Sequence, residues 1–346
     1  FVGARHGVYA ADAPMLLPDF PPESNGTHAY DGGAVGVLVG RARPGLVIAM
    51  AQFYAPAVTA LHADGTLDRD GNLAVWEHIL DGGVDGIVLL GSTGEFFALR
   101  PEQKRELIDL AVEHVLPRGD LIVGTGCLRV DDTVELSRYA LDAGAPAVMV
   151  VSPYYFALED AAVEAYFSAV ADQVPGDVYL YNFPARTGYD VGPEVTRRLL
   201  RRHPNIVGYK DTVLEVGHTR RLLTELLPEF PEFRVFAGFD ENLHHVVTSG
   251  GAGAIGGLAN LYPEYCAAYV RAVDSGDAAA IAVAQRRIDV LMGVYALGAP
   301  FFPLLKEGMV GRGVRLEHHS TAPHLPATPE QAEALAALMA TVEDLP

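Results

Sequence analysis

The sequence predicts an α/β protein whose main part is a closed (β/α)8 barrel, or TIM barrel, with a C-terminal helical appendage and an irregular N-terminal extension. Eight short apolar runs that end in Gly, Ser, Asn or Lys recur along the chain, and segments with the helical period separate most of them. Eight strands that alternate with helices are typical of this barrel. The length of 346 residues also accommodates a barrel of about 250 residues with additions.

The eight apolar runs are the predicted strands. In chain order they are APAVTA near residue 55, GIVLLGS at 86, LIVGTG at 121, AVMVVSP at 147, VYLYNFP at 178, NIVGYK at 205, FRVFAG at 233 and GAIGG at 253. An open, doubly wound sheet also alternates strands and helices, but it usually carries a G-x-G-x-x-G phosphate loop after its first strand. The turn Gly91-Ser92-Thr93-Gly94 does not match that motif, so we favour the closed barrel.

The patterns divide the chain into three regions. Residues 1–48 are rich in Gly, Pro and Ala and keep no period for long, so we expect an irregular or disordered extension. Residues 49–262 form the predicted barrel. Residues 263–346 are expected to be a helical region, interrupted by Gly and Pro between Gly298 and Pro303, that packs on the barrel or on another subunit.

The charge balance excludes several classes of partner. The chain has 25 Lys and Arg against 44 Asp and Glu, a formal net charge of -19. Such a chain repels phosphate backbones and anionic lipid, so we expect neither nucleic acid nor a membrane as a partner. The longest apolar stretch, Leu46 to Leu61, is shorter than the roughly 20 residues of a membrane helix. The two cysteines are far apart and form no C-x-x-C, which favours a reducing, cytoplasmic setting.

Hydroxyl groups follow the second predicted strand, at the barrel edge where active sites of this fold lie. In Gly91-Ser92-Thr93-Gly94-Glu95, two hydroxyls stand between glycines, where side-chain and backbone donors can converge on a small anion such as a carboxylate. A tight turn without a ligand would have the same sequence. We expect Glu95 to complement the dipole of the helix that follows.

A lysine ends the sixth predicted strand. Lys210 follows apolar residues and precedes Asp211 and Thr212. Partial burial at the mouth of an apolar strand lowers the pKa of an ammonium group and leaves an amine that can attack a carbonyl. The alternative is a lysine that reaches solvent or pairs with a carboxylate such as Asp211.

Tyrosines and an arginine follow the fourth and fifth strands. Tyr181 emerges at the end of strand five and can relay protons, and Arg186 follows in a loop between Pro184 and Gly188, where its guanidinium suits a carboxylate. Strand four ends in a second phenol source, Tyr154-Tyr155. A tyrosine at such a position is also common as a packing residue. Together, the strand ends predict one pocket.

The motifs GSTGE at 91–95, SPYYF at 152–156, YNFPARTG at 181–188 and GYKDT at 208–212, in this order, resemble the dihydrodipicolinate synthase and N-acetylneuraminate lyase superfamily. The resemblance extends from about residue 55 to the C-terminal helices. Members are class I aldolases in a (β/α)8 barrel, mostly homotetramers, that join or split pyruvate through a lysine imine. It therefore implies pyruvate and a small aldehyde or keto acid as substrates, a homotetramer or homodimer, no metal, and no cofactor beyond the covalent imine.

The resemblance also implies roles for individual residues. Lys210 resembles the imine-forming lysine, and Tyr181 resembles the phenol that moves protons to and from the imine and the new hydroxyl. Ser92 and Thr93 resemble the residues that hold the pyruvate carboxylate, with one of them linking Tyr181 to a proton relay. Catalysis would thus use Lys210, Tyr181 and Thr93, together with Tyr155.

Two further positions carry implied roles at the edges of the site. Tyr155 resembles the tyrosine that a neighbouring subunit lends to complete the proton relay. Ile255, in GAIGG, stands where a backbone carbonyl faces pyruvate.

The identity of the acceptor aldehyde depends mainly on Arg186. It resembles the arginine with which dihydrodipicolinate synthases hold the carboxylate of aspartate semialdehyde, which favours a 4-hydroxy-tetrahydrodipicolinate synthase. Ser92 and the segment FDEN at 239–242 look more like members that cleave sugar acids, so a 2-keto-3-deoxy sugar acid aldolase or an N-acetylneuraminate lyase is the alternative. We expect no feedback inhibition by the amino acid lysine, because this sequence departs from lysine-regulated synthases at Phe96, Phe97 and Leu128. A remoter alternative is a ligand-sensing barrel without turnover.

Overall fold

The computed structural model describes residues 50–345, so the extension predicted for residues 1–48 lies outside the described residues. Eight parallel strands close into a barrel in which each strand pairs with the next in chain order and the eighth pairs with the first. The strands are β1 (Gln52–Pro56), β2 (Gly86–Leu89), β3 (Asp120–Gly124), β4 (Ala147–Val151), β5 (Asp177–Asn182), β6 (Ile206–Asp211), β7 (Arg234–Ala237) and β8 (Gly253–Ile255). The predicted fold class is confirmed.

The first strand lies a few residues earlier than the apolar run near residue 55 that predicts it. β1 ends at Pro56, and the chain then leaves the ladder while staying buried. The amide of Val58 donates a hydrogen bond to Oδ1 of Asn260 at 3.0 Å, and the amide of Ala60 donates to Oδ1 of Asn72 at 3.0 Å. The apolar run therefore outlasts the strand because side-chain amides replace the neighbouring strand as acceptors.

Helices follow the strands around the outside of the barrel, and further helices continue the chain after the last strand. They are α1 (Arg69–Asp81), α2 (Pro101–His114), α3 (Val130–Asp142), α4 (Asp160–Ala171), α5 (Pro184–Thr187), α6 (Pro193–Arg202), α7 (Val216–Leu226), α8 (Leu243–Thr248), α9 (Pro263–Ser275), α10 (Ala278–Leu291), α11 (Phe302–Gly311) and α12 (Pro329–Glu343). None of the helices between residues 50 and 345 is long and apolar enough to cross a bilayer.

The C-terminal helices extend the barrel. Helix α9 follows β8 and packs against β1 and α1, so it completes the ring of barrel helices. Helix α12 packs against both α10 and α11, and α11 also contacts the 3-10 turn that follows β8. The sequence patterns indicate α9, α10 and α12 but no helix after the break at Gly298 to Pro303. Helix α11 begins there with Pro303 in its first turn, where a missing amide hydrogen costs no helical bond.

Candidate active site

A cavity of about 230 Å³ opens at the carboxyl ends of the strands. Six of the seven residues singled out in the sequence line it: Ser92, Thr93, Tyr181, Arg186, Lys210 and Ile255. They come from four strand ends and the short helix α5, which parallel strands bring to one edge of the barrel. Residues more than 160 positions apart in the chain therefore share one small space.

Lys210 lies in this cavity as a buried amine. In the barrel ladder it is paired in register with Tyr181, and its Nζ lies 4.5 Å from the centre of the Tyr181 ring. Burial lowers the pKa of Lys210 to about 7, while the negative charge of Asp240 acts in the opposite direction. A substantial fraction of the amine is thus unprotonated near neutral pH, as nucleophilic attack requires.

Tyr181 links the lysine to the loop after β2 that carries Ser92 and Thr93, called the hydroxyl loop below. Its phenol oxygen lies 3.3 Å from Oγ of Ser92, within hydrogen-bond reach. Burial raises the pKa of Tyr181, and the hydrogen bond with Ser92 offsets part of that effect. The phenol is therefore protonated at neutral pH and can pass its proton along a hydrogen-bonded chain.

The loop from Gly91 to Gly94 is flanked by two residues in the left-handed backbone region, Leu90 with φ 55° and Glu95 with φ 57°. Residues other than glycine adopt this region only when the surrounding structure stabilises it. Oγ1 of Thr59 donates a hydrogen bond to the carbonyl of Gly94 at 2.8 Å. The hydroxyls of this loop are thus presented to the cavity by a constrained turn.

The expectation for Glu95 is wrong. Glu95 does not lie at the start of α2, which begins six residues later at Pro101. Its carboxylate is fully buried and forms an ion pair with Lys306 of α11, and it accepts hydrogen bonds from the amide and hydroxyl of Thr321 at 2.7 and 2.8 Å. The C-terminal region therefore anchors the loop that carries Ser92 and Thr93.

Arg186 stands where this cavity meets a second one of about 460 Å³. Its guanidinium lies 5.6 Å from the centre of the Phe183 ring, in cation–π range. The walls of the second cavity are largely aromatic: Phe96, Phe97, Tyr154, Phe183, Phe301 and Phe302. Among such walls, the guanidinium provides a positive charge for an anionic group of a substrate that spans both cavities.

Tyr155 does not reach the cavity of its own chain. Its side chain is 86% exposed and its φ is 93°, so the backbone turns the ring outward at a conformational cost. It packs edge-on against Phe156, whose ring is exposed as well. A part for Tyr155 in catalysis thus requires a site on another subunit.

Three residues at or next to the cavity have no role predicted from the sequence. Asp240, within the segment FDEN, begins the 3-10 turn after β7 and does not itself line the cavity. Tyr295 lines the Lys210 cavity from the C-terminal appendage, where no local pattern marks it. Thr212 also lines the cavity, and within residues 50–345 its buried Oγ1 has no hydrogen-bond partner. The signal for Thr212 is its place directly after β6, and the signal for Asp240 is its place in the turn that follows β7.

Comparison with known proteins identifies the family of this chain. The model of the dihydrodipicolinate synthetase family matches residues 49–342. The chain belongs to the dihydrodipicolinate synthetase family. It is therefore a class I aldolase-type lyase, which confirms the family, the enzyme class and the pyruvate-dependent carbon-carbon chemistry predicted from the sequence.

Curated relatives in the dihydrodipicolinate synthetase family include two kinds of enzyme. A putative 2-dehydro-3-deoxy-D-gluconate aldolase, YagE of Escherichia coli, is 36% identical over 78% of this chain and 90% of its own length. A 4-hydroxy-tetrahydrodipicolinate synthase of Kosmotoga olearia is 35% identical over 64% of this chain and 76% of its own length. A crystal structure of YagE in complex with pyruvate has a TM-score of 0.82 and 34% identity, covering 85% of this chain and 98% of that one.

Proposed function

We propose that Lys210 forms an imine with pyruvate and that this imine joins pyruvate to, or releases it from, a small aldehyde. The observation that carries the proposal is the buried Lys210 amine, whose pKa burial lowers to about 7, in a cavity with Ser92, Thr93 and Tyr181. The similarity to YagE, whose structure was solved with pyruvate, supports the same ligand.

The reaction follows from these groups. Ser92 and Thr93 hold the pyruvate carboxylate, so the keto carbon faces Lys210. The neutral amine adds to that carbon, and the resulting carbinolamine takes up one proton and loses water, which leaves a cationic imine. This imine accepts the electron pair of the methyl C–H bond when a base removes the proton, and the enamine then attacks the aldehyde carbon. Tyr181 passes the proton that the new hydroxyl requires, by way of Ser92.

For the acceptor, the charge at Arg186 favours an aldehyde that carries a carboxylate, such as aspartate semialdehyde. A second candidate is supported by the similarity to YagE and to the probable 2-dehydro-3-deoxy-D-pentonate aldolase YjhH of Escherichia coli, which is 35% identical over 84% of this chain. In that case the chain would cleave a 2-keto-3-deoxy sugar acid into pyruvate and a hydroxyaldehyde.

Borohydride trapping tests the proposal directly, because the whole chain contains only three lysines, Lys104, Lys210 and Lys306. Incubation with pyruvate and borohydride should add one reduced pyruvate to the peptide that contains Lys210, as read by mass spectrometry. Pyruvate consumption with aspartate semialdehyde, and pyruvate release from 2-keto-3-deoxy sugar acids, are then measured in parallel. The absence of any adduct would contradict the proposal.

Replacement of Arg186 should separate the two acceptors. In Arg186→Ala, we expect kcat/KM for aspartate semialdehyde to fall about 100-fold because the charge-assisted bond to its carboxylate is lost. The pyruvate concentration that half-saturates trapping should change less than about 3-fold, since Lys210 and the hydroxyl loop are intact. Arg186→Lys, which keeps the charge but not the fork, should fall in between. An equal loss with an uncharged aldehyde would contradict a role in binding the acceptor carboxylate.

Tyr155 provides a test of subunit cooperation. We propose a homodimer or homotetramer in which Tyr155 completes the site of its neighbour. Tyr155→Phe should lower kcat about 10- to 100-fold by removing a proton relay. When it is coexpressed with Lys210→Ala, mixed dimers contain one site with both Lys210 and Tyr155, so activity should recover beyond the sum of the two variants. No recovery despite mixed dimers, detected by differential tags, would exclude this arrangement.

A further inference from the structure

An acid–phenol pair, Asp240 and Tyr295, adjoins the Lys210 cavity, apart from Tyr181 and Ser92. Asp240 begins the 3-10 turn after β7 and is completely buried. Tyr295 belongs to a 3-10 turn after α10 and lines the cavity together with Lys210. The Tyr295 hydroxyl donates a hydrogen bond to Oδ2 of Asp240 at 3.4 Å. The two residues come from parts of the chain 55 positions apart.

The fold holds this carboxyl group in place with little polar support. The backbone amide of Leu258 donates to Oδ1 of Asp240 at 3.1 Å. A Cβ on Gly256 would lie 2.2 Å from the same oxygen, so the backbone can pass the carboxyl group only because this residue is glycine. One amide and one long phenol bond are few partners for a buried carboxylate, whose burial is costly unless a positive charge is near.

The charged and titratable groups around Asp240 come from four elements. Lys210 of β6 opposes the effect of burial on Asp240, and Glu241 of the same turn adds to it. Tyr295 faces the carboxyl group from the C-terminal appendage, and Cys266 of α9 lies near enough for the charge of Asp240 to raise the pKa of its thiol. The positive charge of Lys210 thus lowers the pKa of Asp240. In the described residues 50–345, the two side chains do not form an ion pair within 4.0 Å.

We propose that Asp240, oriented by Tyr295, is a positioning residue that supplies the counter-charge for the cationic imine on Lys210. The inference rests on the proposed function, because it requires an imine. In this proposal, a buried acid that does not belong to the Tyr181–Ser92 relay stabilises the positive charge formed when pyruvate binds covalently to Lys210.

The proton balance of imine formation fits this arrangement. A neutral amine, a ketone and one proton give a cationic imine and water. Burial raises the pKa of Asp240 to about 7, so near neutral pH the free site can hold both a neutral Asp240 carboxyl group and a neutral Lys210 amine. When the imine forms, its positive charge favours loss of the Asp240 proton, and that proton equals the one consumed. The buried site then changes from two neutral groups to two groups of opposite charge without acquiring net charge.

The test measures pyruvate affinity and its pH dependence by borohydride trapping in Asp240→Asn, Tyr295→Phe and Glu241→Gln. Asparagine preserves the shape of Asp240 and an oxygen for the Leu258 amide. In Asp240→Asn we expect the half-saturating pyruvate concentration to rise at least about 10-fold, because the cationic imine loses its counter-charge. The pH below which the trapping rate falls should become lower, because the fraction of Asp240 that is charged near pH 7 raises the pKa of Lys210 and asparagine removes that effect.

The other variants keep the outcome interpretable. Tyr295→Phe retains the ring and should raise the half-saturating concentration a few-fold. Glu241→Gln removes an adjacent carboxylate that does not line the cavity, and should change it less than about 2-fold. If Asp240 served only stability, its replacement would lower the melting temperature but leave unchanged the pH below which the trapping rate falls.

Three results would overturn the inference. They are an unchanged affinity and an unchanged pH dependence of trapping in folded Asp240→Asn, an effect of Glu241→Gln as large as that of Asp240→Asn, or, if Asp240→Asn does not fold, an unchanged affinity in Tyr295→Phe. Trapping in the wild type distinguishes a wrong role for Asp240 from a wrong proposed function. Trapping of wild-type Lys210 with no effect of the variants rejects Asp240 alone, whereas no trapping in the wild type rejects both.

Discussion

Lys210→Ala is expected to abolish carbon-carbon chemistry, with a loss of roughly 10⁴-fold or more in kcat, because no other group in the cavity can form the imine.

The buried amine also sets the pH dependence of the wild type. With a pKa that burial lowers to about 7, the neutral amine and hence the rate of imine formation should increase as the pH rises through that value. Pyruvate trapping and steady-state turnover between pH 5.5 and 9 measure both effects.

Lys104→Ala is the matched control for this variant. Lys104 lies on α2, with its Nζ 5.8 Å from the centre of the Phe96 ring, and does not line the Lys210 cavity. Its replacement should leave the adduct in place. Lys210→Ala should remain folded, because a group whose folded pKa is depressed below that of the unfolded chain destabilises the folded state at pH values below the unfolded pKa. Substantial turnover by folded Lys210→Ala would contradict the assignment.

Lys306→Met is expected to destabilise the protein by about 3–5 kcal/mol, because it leaves the carboxylate of Glu95 buried without its cation. Both side chains of this pair are 0% exposed. The ammonium also donates to the carbonyl of His319 at 2.6 Å, so the pair connects the hydroxyl loop, α11 and the segment before α12. The free energy of unfolding, obtained from urea denaturation, measures the loss.

A double-mutant cycle distinguishes the ion pair from simple packing. Glu95→Gln combined with Lys306→Met removes both charges and should recover a large part of the stability lost in Lys306→Met alone. Arg69→Met provides the control at an exposed pair, since Arg69 and Glu106 are 57% and 42% exposed, and it should cost less than about 1 kcal/mol. Equal losses at the buried and exposed pairs would refute the proposed contribution of burial.

Loss of the Glu95–Lys306 pair should also weaken pyruvate binding in the active site. Glu95 holds a left-handed φ of 57° at the end of the loop that carries Ser92 and Thr93. Without the pair, the Glu95 carboxylate at the end of this turn is held, within residues 50–345, only by the hydrogen bonds from Thr321, so we expect the two hydroxyls to bind the pyruvate carboxylate less well. This explains how a C-terminal helix far from the strand ends in sequence can support catalysis.

Local patterns were sufficient for much of the fold and the candidate site. The strand runs and the helical period depend on residues within a few positions of each other, and the barrel rule then brings every strand end to one edge. The residues that could therefore be identified each stand at a strand end or in the loop or short helix that follows one: Lys210, Tyr181, Arg186, Ser92 and Thr93.

The sequence by itself determined the barrel, the family and the residues that its strand ends bring to the cavity. The tertiary structure decided which distant groups accompany them: Lys306 meets Glu95 across 211 positions, and Tyr295 meets Asp240 across 55. No local pattern encodes these contacts, because they depend on how the C-terminal helices pack over the barrel. Burial, which lowers the pKa of Lys210 and raises that of Asp240, is likewise a property of the packed molecule.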